Sequence, residues 1–446
     1  MTHNQTRWVL DGAPQLDYLV IGGATPEAML SEFGRLSGRP PAMPDWATGF
    51  WQSKLRYRSQ EEVLEVAREY AERKLPLACL VIDFFHWSKA GEWQFDAAAF
   101  PDPAAMIEEL EALGIKTLVS VWPTVNANAS TFETMRDRGF LVRNTRGLEA
   151  QKLFVDANSE GLVPLSLYDS THPDAAAFHW ERIKAGYLRH GVTGFWLDAN
   201  EPEVYPTLPD GLLFHAGEGW ALFNAHPLAQ HRSYAEQLQR EGREDAILLS
   251  RSGWLGSQRY PVVIWSGDVH SDFAALERQI KAGLSMALSG ISWWTSDIGG
   301  FINGDIRDPA FRELLIRWFQ FAVFCPILRL HGFRMDSQGD PRLGVDFLYG
   351  GAGNEIWSFG PEAEAILSHF LWLRETLRPY IGGLMREAQA RGIPPMRPLL
   401  LDHPEDPLSW QLETQYKFGG DIIVAPITQV GSRSRAGLCA SGCRLD

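Results

Sequence analysis

Short apolar runs alternate with amphipathic stretches along most of the chain. "ATGFWQS" (47–53) precedes a helical pattern from Gln60 to Arg73, in which Val63, Val66, Ala67 and Tyr70 share one face. "LACLVIDFFHW" (77–87) reads as the next strand, and its helix runs from Ala104 to Leu113 and stops at Gly114. "IKTLVSVWPTV" follows, then an irregular insertion to about Asp174 and a helix through Tyr187. "VTGFWLD", "AILLSRS", "PVVIWSGD", "GISWWTSD" and "PILRLHG" supply five more strands, mostly separated by helices such as Phe273–Ala287 and Phe311–Phe324. Eight near-continuous apolar strands, each buried on both faces, predict a parallel (β/α)8 TIM barrel in the α/β class, with short N-terminal and C-terminal extensions. A doubly wound open sheet is the alternative, weakened because no G-x-G-x-x-G turn follows the early strands.

Composition narrows the function classes. Of 446 residues, 45% are hydrophobic and 22% charged, an ordinary globular balance. A net charge of -14 would repel phosphates, so neither a nucleic acid nor an anionic membrane is expected as partner. Seventeen tryptophans fit a protein core, but indole faces also stack on sugar rings. Cys79 and Cys325 sit in apolar runs and read as buried thiols. Cys439 and Cys443 have C-x3-C spacing with no second Cys/His pair nearby, so no zinc site is expected. The N-terminus has no apolar signal segment, and no apolar run is long enough to span a bilayer, which predicts a soluble, cytoplasmic chain. Assembly into a homo-oligomer stays compatible with all of this.

The strand ends carry the chemistry. Asp83, Trp122, Asp198, Arg251, Asp268, Asp297 and His331 each lie at or just beyond the C-terminal end of an expected strand, where a barrel builds its active face. Each has a plainer reading alone. Asp198 or Asn200, in "GFWLDANEPE", could cap a helix with Pro202 in its first turn, and Asp268 could cap a helix from Ser271. His331 alone is more often structural than catalytic. Seven polar ends on successive strands nevertheless describe a site. Two carboxyl groups without a metal-like cluster suit glycoside hydrolysis, in which one attacks the anomeric carbon and the other protonates the leaving oxygen. Asp198 is the ionised candidate, tuned by neighbours such as Glu201. Asp268, on a glycine-flexed loop, is the candidate acid. Arg251 would pair with Asp297 or with a sugar hydroxyl.

The chain also resembles glycoside hydrolase family 31, the α-glucosidase and α-xylosidase family of retaining enzymes. The resemblance spans Tyr18 to Arg435 and rests on "PPAMPDWATGFWQS", "FDAAAFPDPAAMIEELEALGIKTLVSVWP", "GFWLDANEPE", "SRSGWLGSQRYPVVIWSGD", "ISWWTSDIGGF", "LRLHGFR" and "GGDIIVAPI". It implies Asp198 as nucleophile and Asp268 as general acid/base. It further implies Asp83, Arg251 and His331 as glycone ligands, Trp122, Trp265 and Trp294 as aromatic walls, and Asp297 as a polar support near Arg251. No cofactor and no metal is implied, and the expected partner is an oligosaccharide. Against the family's usual plan, residues 1–44 read as a remnant of an N-terminal β-sandwich domain with a linker helix. Residues 45–393 read as the catalytic barrel with an insertion at about 126–174, and 394–446 as a truncated C-terminal β segment.

Three expectations follow. The carboxyl groups of Asp198 and Asp268 should lie about 5–6 Å apart. Trp122, Trp265 and Trp294 should line one pocket. Phe84, in "DFFHW", should fill the space that the hydroxymethyl group of glucose needs, so the resemblance leans to the α-xylosidase branch, with terminal α-linked xylose as substrate. The alternatives are an α-glucosidase or transglucosylase of the same family, an α-glucan lyase, or an inactive sugar-binding relic.

Overall fold

Strand β1 (Phe50–Lys54) is buried at all five positions in the computed structural model, which describes residues 7, 9, 15–205, 208–337 and 350–437. Seven more short strands follow the expected runs: β2 (Cys79–Ile82), β3 (Lys116–Val121), β4 (Gly194–Leu197), β5 (Leu248–Ser250), β6 (Val262–Trp265), β7 (Trp294–Thr295) and β8 (Leu328–Leu330). They form one parallel sheet in the order β7-β6-β5-β4-β3-β2-β1-β8. Registers such as Val119 opposite Phe195 and Leu249 opposite Val263 align their apolar centres. The ends of the sheet meet: Ile327 N–H donates to Trp294 O at 3.2 Å, and Thr295 Oγ1 donates to Ile327 O at 3.3 Å. The sheet therefore closes into a barrel, and the open doubly wound alternative is ruled out.

The outer helices begin where the sequence places caps. Ser59, Asp102, Asp272 and Asp308 accept from the first-turn amides of Gln60–Glu72, Pro103–Ala112, Phe273–Leu288 and Pro309–Ala322. Each supplies an acceptor that an isolated helix start lacks. Val63, Leu64, Ala67 and Tyr70 form the buried face of the first, so Leu64 takes the place expected of Val66. The alternation fails once: between β5 and β6 only a 3-10 turn, Ser257–Arg259, covers the barrel. Below the strands, the guanidinium of Arg374 in helix Pro361–Arg391 donates to the carbonyls of Thr48, Val323, Cys325 and Pro326. That network ties the N-terminal ends of β1 and β8 together, and it satisfies a buried cation with four acceptors.

The insertion after β3 is not irregular. Thr124–Asn126, Gln151–Phe154 and Val163–Leu167 make a three-stranded antiparallel sheet, and Arg143–Asn144 joins a second one with Leu212–Phe214 and Gly217–Glu218. These strands are too short, and Val163–Leu167 too interrupted by Pro164, to show a period. Helix Pro26–Ser37 precedes the barrel and packs through Leu30 on Ile393 and Leu401. Met396–Pro398, Tyr416–Phe418 and Ile422–Val424 form an antiparallel sheet after it. Cys79 and Cys325 are buried free thiols, while Cys439 and Cys443 lie outside the described residues. Among the described residues no helix is long and apolar enough to cross a membrane.

Candidate active site

A cavity of about 160 Å3 opens at the C-terminal ends of the strands. Asp83, Phe84, Trp122, Asp198, Arg251, Asp268 and His331 line it, together with Leu55, Phe154, Trp196, Glu203 and Phe301. A space well below the ~300 Å3 at which drug-sized pockets begin suits one sugar ring.

Neither aspartate is a helix cap. Asp198 continues β4, its N–H donating to Val121 O at 3.2 Å, and no helix begins at Asn200. Asn200 turns inward instead, donating to Gln230 Oε1 and Ser250 Oγ at 3.1 and 2.9 Å. The helix after Asp268 is capped by Asp272, whose carboxylate accepts from Ala275 N. Asp268 is left free to face the cavity, carried on a loop turned by Gly267 at φ +78°.

Arg251 organises the carboxylates. Its Nη1 lies 3.3 Å from Asp198 Oδ1 and 3.7 Å from Asp268 Oδ2. Sharing one nitrogen, those two oxygens are no farther apart than the two distances combined, about 7 Å, a bound compatible with the 5–5.5 Å of retaining pairs. Glu201 takes the other side of the guanidinium in a fork of 2.7 and 3.1 Å bonds, and Glu203 Oε2 approaches Nη2 at 3.5 Å. Burial works against this cation, yet Asp198 and then Glu201 outweigh it and raise its pKa. The resemblance set Asp297 beside Arg251. That is corrected: Asp297 is fully buried and pairs with Arg329, one layer deeper in the barrel.

Protonation differs across the site. Burial first, and then the negative charge of Asp198, push Asp268 up to about 7, with Arg251 opposing. Asp198 is also raised, by burial foremost, with Arg251 again opposing. Burial and the nearby Asp198 hold Asp83 well above the carboxylate range. His331 is held neutral by burial and by the neighbouring Arg329 and Arg334. Its Nδ1 lies 2.8 Å from Ser53 Oγ, and its Nε2 faces Asp83 Oδ2 at 3.7 Å. Burial lifts Asp297 to about 6 even against Arg329 and Arg334.

Of the three tryptophans expected to line one pocket, only Trp122 does. Its ring stacks on Phe84 at 5.0 Å and 28°, and Phe154 leans on it at 5.4 Å. Trp265 is 1% exposed, inside the barrel below the cavity, 5.3 Å from Trp196 and 5.4 Å from the Arg329 guanidinium. Trp294, 3% exposed, points outward: a Cβ added to Gly283 of the Phe273–Leu288 helix would fall 2.7 Å from its Nε1. Trp196 takes the wall position instead. Strand alternation carried that signal, since Trp196 and Asp198 share a face, as do Arg329 and His331. Glu201 does not line the cavity but holds Arg251. Phe154, Phe301, Glu203 and Lys152 had no signal, because loops and the insertion bring them in. Among the described residues no cluster of His, Cys, Asp and Glu could hold a metal ion.

A family model described as the "Glycosyl hydrolases family 31 TIM-barrel domain" matches residues 40–384, and that of the family's C-terminal domain matches 392–442. An uncharacterized family 31 glucosidase of Pseudescherichia vulneris is 46% identical over 340 residues, 76% of this chain and 62% of that protein. An alpha-xylosidase of Saccharolobus solfataricus is 33% identical over 439 residues, 96% of this chain and 54% of the relative. Among solved structures, a family 31 alpha-xylosidase from a soil metagenome, complexed with xylose, superimposes with a TM-score of 0.87 at 45% identity. That match covers 93% of this chain and 60% of the other. The chain thus spans less than two thirds of each relative's length.

Proposed function

The chain belongs to glycoside hydrolase family 31, and on that premise we propose that it removes terminal α-linked xylose from oligosaccharides with retention of configuration. In the first step a carboxylate oxygen of Asp198 attacks the anomeric carbon, the bond to the leaving oxygen breaks, and Asp268 gives that oxygen its proton. Esterification removes the charge of Asp198, one cause of the raised pKa of Asp268, so Asp268 is the stronger acid once its proton has gone and stays ionised. As carboxylate it then takes a proton from water, whose oxygen displaces Asp198 from the sugar. Arg251 lies nearer Asp198 than Asp268, which favours Asp198 as the ionised member of the pair.

The observation that carries this reading is the pair itself: two carboxyl groups around one Nη1, one of them held protonated to about pH 7. Asp83 and neutral His331 bind glycone hydroxyls from the cavity floor. The Phe84 ring, stacked on Trp122 in the cavity wall, offers carbon surface and no partner for a hydroxymethyl group on C5. Relatives named alpha-xylosidase support the xylose preference. The test is kcat/KM for matched aryl α-xylosides and α-glucosides. A higher value for the xyloside is expected, and equal or glucose-favouring values leave α-glucosidase as the reading.

A further inference from the structure

Lys152 lies in the insertion, on none of the barrel strands, yet its side chain is only 5% exposed. Its ammonium bonds Glu203 Oε2 at 2.7 Å and sits 4.8 and 4.9 Å from the ring centroids of Trp122 and Phe154. Both rings line the cavity, as does Glu203. Desolvating an ammonium is costly unless a partner answers it, and here one carboxylate and two π-faces do so. Glu203 Oε2 in turn stands 3.5 Å from Arg251 Nη2, while Nη1 of the same guanidinium faces Asp198 and Asp268. Charges therefore alternate in sign from the insertion to the reacting carboxyls: Lys152, Glu203, Arg251, Asp268.

We propose that Lys152 is a positioning residue which, by engaging Glu203, lightens the draw of that carboxylate on Arg251 and so sets the charge balance at Asp268. The inference rests on the reading of Asp268 as the acid. Arg251 is shared among four carboxylates, those of Asp198, Glu201, Glu203 and Asp268. Without Lys152, the charge of Glu203 would fall on Arg251 alone. The titratable and charged groups acting on Asp268 are Asp83, Asp198, Glu203, Arg251, Asp297 and Arg329, from five separate strand ends and loops. Among the described residues, only Glu203 of this set has a second cation of its own at hydrogen-bond distance. Burial opposes ionisation of Glu203, but Lys152 and then Arg251 keep it charged. A lysine that merely pinned the insertion would alter stability and leave the titration of Asp268 where it is.

The experiment is the pH dependence of kcat/KM on an α-xylosyl disaccharide, whose leaving group requires protonation. Lys152→Met should move the alkaline limb upward by roughly half a pH unit, since a positive charge has gone and Glu203 draws on Arg251. Lys152→Arg should keep the parental limb, because it restores the charge. Glu203→Gln, at a half-exposed position that tolerates the change, should move the limb downward, and the double variant Lys152→Met/Glu203→Gln should return towards the parent. Glu203→Gln carries the test if Lys152→Met fails to fold. An unmoved limb in Lys152→Met, or in Glu203→Gln, overturns the inference. Asp268→Asn separates the two levels: if it abolishes the limb while Lys152→Met leaves it in place, only the role of Lys152 falls. If the limb survives Asp268→Asn, the assignment of the acid falls as well.

Discussion

Asp268 keeps its proton to about pH 7 because burial penalises its charge and Asp198 repels it. An acid in that state is spent as the pH rises past its pKa, so kcat/KM should fall above about pH 7, and a profile flat to pH 9 would exclude Asp268 as the acid. Asp198→Ala should lose turnover by on the order of 10⁴-fold or more, because no covalent route remains. Asp268→Ala should lose about 10²–10⁴-fold on poor leaving groups, and azide should restore rate on activated ones. Near-normal turnover in Asp198→Ala would show that another group is the nucleophile. In the proposed xylose preference Phe84 would act by shape. Rejecting one hydroxymethyl by packing is worth ~1–3 kcal/mol, so Phe84→Ala should cut the xyloside-to-glucoside ratio by roughly ten- to two-hundred-fold. An unchanged ratio would move the discrimination to another residue.

At the scale of elements, the helix Phe273–Leu288 meets the site at its start and the barrel along its length. Asp272, not Asp268, accepts from its first turn. Asp272→Ala should therefore cost about 1 kcal/mol of stability and leave the alkaline limb of the rate profile in place. Halfway along, Gly283 faces the indole of Trp294, with no room for a methyl group. Alanine is the better helix former, yet Gly283→Ala should destabilise by ~1–3 kcal/mol, read as a lower midpoint in denaturant. A stabilised Gly283→Ala would mean that Trp294 does not point at this helix.

For the molecule as a whole, the catalytic face is a store of unfavourable charge. Asp268 has a folded pKa of about 7, above the ordinary value of about 3.9 expected in the unfolded chain. Its penalty is absent below about pH 4, grows as the pH rises between the two pKa values, and is complete above about pH 7. Asp268→Asn should thus be more stable than the parent at pH 8 and no different at pH 4. Solvent screening at a side chain 44% exposed reduces the gain to ~1 kcal/mol. Thermal melts at the two pH values decide it, and an equal difference at both would locate the effect in packing. Such gains at the expense of activity are expected where a site is built for chemistry.

The order of strands and helices was legible in the sequence, because a strand covered on both faces must be apolar throughout and an outer helix must be apolar on one side. Chain connectivity then determined which residues stand at the strand ends, so the order of the strands alone gathers Asp83, Trp122, Asp198, Arg251, Asp268 and His331 into one site. What each side chain faces was decided only by tertiary structure. Barrel closure set Trp265 beneath the cavity and turned Trp294 outward, although both sit in apolar runs that look alike. Charge pairing was equally illegible. Arg251 with Glu201, and Lys152 with Glu203, join residues about fifty positions apart. Asp297 took Arg329 because both point into the same layer of the barrel. Sequence periodicity encodes the face of a strand or helix, whereas the choice among several nearby partners of opposite charge depends on through-space distances that exist only once the barrel has closed.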